Sequence, residues 1–205
     1  MSTLPASIKR YVRRPFAFRP EYAALLVIDM QRFFLDKSSH AYLPLARPIV
    51  PRIKQLVTAF REHKLPVIFT RHALKQSEDP GIMQEWWHDV IKNKSRFSHI
   101  IKELKAFRNC EVIRKTRYSA FHGTRLEQIL KKYKINQLVI TGVMTHLCCE
   151  TTAREAFLKD YRVFFTADAT ASETTDLHLS SLKTLSHGFA VPVTSKEIIK
   201  ILSLQ

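Results

Sequence analysis

The sequence predicts an α/β fold in three layers, a parallel sheet sandwiched between helices. Three observations carry this. Six short, β-branched apolar runs recur along the chain with helical stretches between them. The runs are continuously apolar rather than alternating, which marks strands covered on both faces. The chain has 205 residues and 45% apolar content, enough for one sizeable core and too little for two domains of normal size.

Residues 1–20 precede the first run and carry Lys9, Arg10, Arg13, Arg14 and Arg19 with no acid. They read as a solvated or subunit-clasping basic arm that the core does not need, ahead of a folded domain over 21–205; an organelle transit segment is the alternative. The first strand spans Ala24–Ile28. A helix follows from Arg47 to His63, with Ile49, Ile53, Leu56, Val57 and Phe60 on one face. The second strand is Pro66–Thr70. Leu74 to Phe107 holds a Pro-Gly turn and a Trp pair but only short periodic pieces, and is expected to lay loops and short helices over the carboxyl ends of the strands. The third strand is Glu111–Ile113. Thr124-Arg-Leu-Glu127 then predicts a capping box opening a helix whose inner face is Leu126, Ile129, Leu130 and Tyr133. After the fourth strand, Gln137–Thr141, comes a helix from His146 to Lys159 with Cys149, Ala153 and Ala156 inward. Arg162–Thr166 and Ala190–Thr194 are the last two strands.

Charge and cysteine content limit the function classes. The formal charge is +15, from 33 Lys and Arg against 18 Asp and Glu. The basic residues cluster at 9–14, 92–108 and 131–134 with no nucleic-acid-binding motif around them, so solvated helix faces, or steering of an anionic substrate, are expected rather than nucleic acid. Cys110, Cys148 and Cys149 are odd in number and cannot make a disulfide framework, which points to reduced thiols and a cytoplasmic address. No apolar run approaches the roughly 18 residues a membrane span needs, and no membrane partner is expected.

In an open parallel sheet the reactive groups gather at the carboxyl ends of the strands, where loops converge and helix N-termini point. Asp29 follows the first strand, Lys115 the third, and Cys148 the fourth. Alone, each has a plain structural alternative: an N-cap, a surface cation, a buried small apolar side chain. Together they meet a chemical need. A free thiol, with a pKa of about 8.5, is only a few per cent ionised at neutral pH, so a nucleophilic cysteine needs a base, a cation and a positive dipole. Asp29 can take the proton, Lys115 can stabilise a thiolate, and Cys148 falls in the first turn of a helix whose free amides favour negative charge.

Four motifs in order, ALLVIDMQ, KTRYSAF with GTRLEQIL, TGVMTHLCCETTAREAF and TADATAS, resemble the isochorismatase-like cysteine hydrolases over roughly Tyr22 to Leu202. These include nicotinamidases, N-carbamoylsarcosine amidases and ureidoacrylate amidohydrolases. The resemblance implies a six-stranded parallel sheet ordered 3-2-1-4-5-6, with Asp29 as general base, Lys115 as its charged partner and Cys148 as a nucleophile that forms an acyl-enzyme. It implies a cis peptide at Val143–Met144, with the amides of Met144 and Cys148 as oxyanion donors, and homo-oligomers in which the arm lies on a neighbouring subunit. True isochorismatases, which cleave an ether, have a small residue in place of the nucleophile, so Cys148 favours hydrolysis of the C–N bond in a small amide, carbamoyl or ureido substrate. Nicotinamidases bind metal through an Asp and His after the second strand. Here Phe69-Thr-Arg-His-Ala-Leu74 has His72 alone, and no metal or other cofactor is expected.

The expected substrate-binding residues are Phe34, Arg71, His72, Tyr118, Phe121 and His146, with Arg71 gripping a carboxylate, and Trp86, Trp87, Met144 and Thr145 as further walls. A non-catalytic or ether-cleaving relative, and a basic protein binding nucleic acid or acidic partners, are the alternatives.

Overall fold

The structure is a computed structural model that describes residues 3–105 and 110–204. Phe107 and Arg108, at the end of the segment read as capping loops and of one basic cluster, lie outside the described residues. After a 3-10 turn at Ala6–Tyr11, the chain runs through β1 (Ala23–Ile28), α1 (Arg32–Leu35), a 3-10 turn Pro44–Ile49, α2 (Val50–Glu62) and β2 (Val67–His72). Short helices α3 (Ile82–Trp87) and α4 (Lys102–Lys105) precede β3 (Glu111–Lys115) and α5 (Leu126–Lys132). Then come β4 (Gln137–Val143), a π-helical turn Thr145–Cys149, α6 (Glu150–Leu158), β5 (Arg162–Ala171), α7 (Thr175–Gly188), β6 (Val191–Val193) and α8 (Ser195–Leu202).

The six strands form one parallel sheet in the order β3-β2-β1-β4-β5-β6, as the motifs implied. All of β1 is buried, and its alternation divides the core. Leu25 and Val27 face the layer of α2 and α8, while Ala24, Leu26 and Ile28 face that of α5, α6 and α7. Burial on both faces explains why the run is apolar throughout. Among the described residues no helix is long and apolar enough to cross a membrane.

Three expectations are corrected. Pro48 and Pro51 break the helix read from Arg47: the first lies in the 3-10 turn, and the second takes the first turn of α2, where a missing N–H leaves no bond unmade. The capping box at Thr124 does not form. Thr124 Oγ1 instead donates to Ala120 O and accepts from Leu126 N, and Glu127 pairs with Lys131 and Lys159. The capping box that does form joins Thr194 and Glu197 at the start of α8. Finally, the arm is part of its own subunit. Ile8 is fully buried against the α7 side, Phe16 and Phe18 stack edge-on against Phe164, and the Gln137 amide binds Arg19 N and Ala17 O. Apolar side chains in the arm find uncovered sheet on the same chain.

Candidate active site

β1 and β4 are neighbours at the point where the strand order reverses, so the loops after them open away from each other and leave a crevice. Asp29 closes β1 at one side of it. Its backbone has φ 47, in the left-handed region that a non-glycine residue enters only when its surroundings hold it there. Cys148 stands at the other side, in the π-helical turn that joins β4 to α6. The turn can approach so closely because Gly142, at φ 112, has no side chain: a Cβ there would lie 2.0 Å from Ile28 O. The peptide Val143–Met144 is cis, as the resemblance implied.

Lys115 ties the three together. Its Nζ lies 2.7 Å from Asp29 Oδ2 and donates to Cys148 Sγ at 3.3 Å and to Arg117 O at 3.0 Å, with the Lys115 and Asp29 side chains wholly sealed from solvent. Burial alone would lower the lysine, but the Asp29 charge and the Cys148 sulfur outweigh it, and the net shift is upward. Lys115 is therefore a cation. Burial pushes the Cys148 thiol up to about 12, while the Lys115 charge and hydrogen bond pull the other way, the direction that favours a thiolate. Cys149, on the adjacent helical position, points into the core with no exposure, and burial raises its thiol well above its ordinary value.

Above the cluster lies a cavity of about 330 Å³. Of the expected walls, Phe34, His72, Trp87, Tyr118, Met144 and His146 line it, and Trp87 Nε1 donates to Tyr118 Oη at 2.7 Å. Four do not. Arg71 follows the strand alternation to the other side of β2 and bonds to Asn93 Oδ1 at 2.8 Å. Phe121 packs against Tyr161 in the core, Thr145 is buried against His178, and Trp86 faces solvent. No Lys or Arg is among the cavity's described lining residues, whose acidic members are Glu173 and Asp89, the latter 3.1 Å from the exposed His40.

The loop after β2 does not fit a metal centre. Among the described residues no three His, Cys, Asp or Glu converge as ligands. His72 is held neutral, its basicity lowered to about 4 by burial and then by the Lys115 charge, an arrangement that repels a second cation.

Residues that sequence reasoning passed over hold the site in place. Thr70 Oγ1 donates to Asp29 Oδ1 at 2.7 Å. The buried Gln31 amide accepts from His72 N at 2.7 Å and donates to His72 O and Ser98 O at 2.9 Å, continuing the strand edge with a side chain. Thr152 Oγ1 donates to Cys148 O and accepts from Ala120 N, joining the turn of Cys148 to the loop after β3. Gln31 stands inside the ALLVIDMQ motif and Thr70 ends an expected strand, but only the pairing of β1 with β2 shows that they meet Asp29 and His72.

The fold is a three-layer α/β sandwich of this strand order, with an acid, a lysine and a cysteine joined at its switch point. The chain belongs to the isochorismatase family: the family description "Isochorismatase domain" matches residues 23–197. It is 41% identical over 188 residues to Nicotinamidase 3 of Arabidopsis thaliana, covering 90% of this chain and 91% of that protein. It is 31% identical over 195 residues to ureidoacrylate amidohydrolase RutB of Serratia proteamaculans, covering 82% and 75%. In structure it is similar to a cysteine hydrolase from Pseudomonas syringae pv. phaseolicola 1448A, with a TM-score of 0.89, 26% identity, and coverage of 95% and 97%. It is a hydrolase of this family, with amidases among its relatives.

Proposed function

We propose that this protein hydrolyses the C–N bond of a small, uncharged aromatic carboxamide of the nicotinamide class, through a thioester on Cys148. The observation that carries this reading is the buried cluster of Asp29, Lys115 and Cys148 beneath an aromatic cavity without a lining cation. A carbamoyl or ureido acid would bring a carboxylate that no Arg or Lys is placed to receive, because Arg71 is turned away to Asn93. The similarity to Nicotinamidase 3 supports the same class.

In the first half of the reaction Cys148 Sγ attacks the amide carbon while its proton passes to Asp29, so the S–H bond breaks as the S–C and O–H bonds form. Lys115 keeps the cluster's charge balanced. The amides of Met144 and Cys148 receive the oxyanion, while those of Leu147 and Cys149 are bonded to Met144 O. The proton moves from Asp29 to the leaving nitrogen, and ammonia departs. Water, deprotonated by Asp29, then cleaves the thioester, releases the carboxylic acid and restores the thiol. Self-association completes the proposal, supported by Ile82 and Trp86 on α3, each about 70% exposed.

The test is ammonia release from nicotinamide, with quenched samples analysed by intact-protein mass spectrometry. An acyl adduct on the Cys148 peptide and loss of turnover in Cys148→Ala are expected. Equal turnover by Cys148→Ala would end the covalent reading.

A further inference from the structure

Thr70 lies fully buried near the carboxyl end of β2, and its hydroxyl meets Asp29 twice. The Asp29 amide can only donate, so the Thr70 oxygen accepts that bond, at 3.2 Å. The single hydroxyl proton must then go to Asp29 Oδ1, at 2.7 Å. One side chain thus holds both the main chain of Asp29, in its left-handed conformation, and one oxygen of its carboxylate. The other oxygen is different. Oδ2 has the Lys115 ammonium 2.7 Å away as its ion-pair partner and is sealed from solvent. A carboxylate oxygen has two lone pairs, so Oδ2 can take a proton beside Lys115.

We propose that Thr70 is the positioning residue of the general base: its hydroxyl stops the Asp29 carboxylate from turning and directs the Cys148 proton to Oδ2. The inference rests on the reading of Asp29 as the base. In the step it governs, Sγ–H breaks, Oδ2–H forms, and the sulfur electron pair goes to the substrate carbon. Thr70 touches neither substrate nor sulfur and acts only through Asp29. The other groups that act on Asp29 or its partners here are Lys115 from β3, Cys148 and Cys149 from the turn after β4, and His72 from β2.

The test compares Thr70→Val, which keeps the shape and removes the donor, with Thr70→Ser, which keeps the hydroxyl. For ammonia release from nicotinamide, the valine variant is expected to lose on the order of 100-fold in kcat with KM little changed. The acid limb of its kcat/KM profile should be displaced from that of the wild type, because the bond that ties down the base's carboxylate is gone. Serine should restore the limb and most of the rate. A second readout needs no substrate: alkylation of Cys148 by iodoacetamide, followed by peptide mass spectrometry across pH, should show the same displaced limb. If valine fails to fold, Thr70→Ala removes the same donor and carries the same expectation. Acid limbs that coincide for wild type and the hydroxyl-free variants in both assays, or serine behaving like valine, would overturn the proposal. Nicotinamide left intact by the wild type would instead count against the substrate class, with Thr70 still judged by alkylation. Undiminished turnover by Asp29→Asn would remove the base and Thr70's role with it.

Discussion

His72 is a neutral imidazole because water scarcely reaches it and an ammonium acts beside it, and this has a sign in the stability of the protein. Its basicity falls to about 4 in the folded state, from an ordinary value of 6.5. Between those values the unfolded chain takes up a proton that the folded chain refuses, so stability is lost as pH falls from 6.5 to 4. At about 1.4 kcal/mol per unit the loss reaches on the order of 3 kcal/mol. His72→Gln removes the titration while leaving the Gln31 clamp intact, since Gln31 bonds only the backbone of residue 72. The melting temperature of the variant should therefore fall less steeply with acid than that of the wild type; parallel curves would sink the assignment. The meeting of Asp29, Lys115 and Cys148 was legible in sequence because each lies at or beyond the carboxyl end of a strand and the chemistry asks for those three types. The expected carboxylate grip of Arg71 was not sound, because strand alternation sends residues 71 and 72 to opposite sides and sequence alone does not say which side holds the cavity.

Strands and helices were readable by their middles and misjudged at their ends. β2 was expected to stop at Thr70 and runs to His72, and β5 was expected to stop at Thr166 and runs to Ala171. In both the extra residues are held by the ladder of a neighbouring strand, which no local apolar pattern reports. Thr-x-x-Glu opens near a helix start at both 124–127 and 194–197, and the box forms at the second and not the first, because at the first Lys131 and Lys159 take the carboxylate. Gly142 is the element on which the site's geometry turns. An Ala at that position would set its Cβ 2.0 Å from Ile28 O, with φ 112 unfavourable to any side chain, so β4 would have to move off β1 between Asp29 and Cys148. Gly142→Ala is expected to cost at least about 3 kcal/mol and most of the activity. Gly188→Ala, at the end of α7 with no atom within 4 Å of the new Cβ, should be neutral or gain about 0.5 kcal/mol. Urea midpoints of the pair decide it: equal midpoints would mean that the close approach of β4 to β1 is not required.

Across the whole molecule the excess of positive charge lies away from the cavity, whose described lining contains no Lys or Arg, and the arm that carries part of that charge does apolar work. Its cations dominate the local sequence and mask Ile8, Phe16 and Phe18 between them. Arg14 pairs with Glu197 at 3.1 Å with both side chains nearly half exposed, which is worth little. Ile8 has no exposed surface, a burial worth about 1.5–3 kcal/mol. Each edge-on contact with Phe164, at centroid distances of 5.6 and 5.0 Å, adds about 0.5–1.5 kcal/mol beyond its area. Several kcal/mol is a large share of the roughly 5–15 kcal/mol that holds a domain folded. Deleting residues 1–18 should therefore lower the melting temperature by many degrees and to the same extent at every protein concentration, because Ile8, Phe16 and Phe18 pack against their own chain. Light scattering alongside the melts separates this from a subunit clasp: a smaller assembly with unchanged melting would transfer the arm's role to a neighbouring chain.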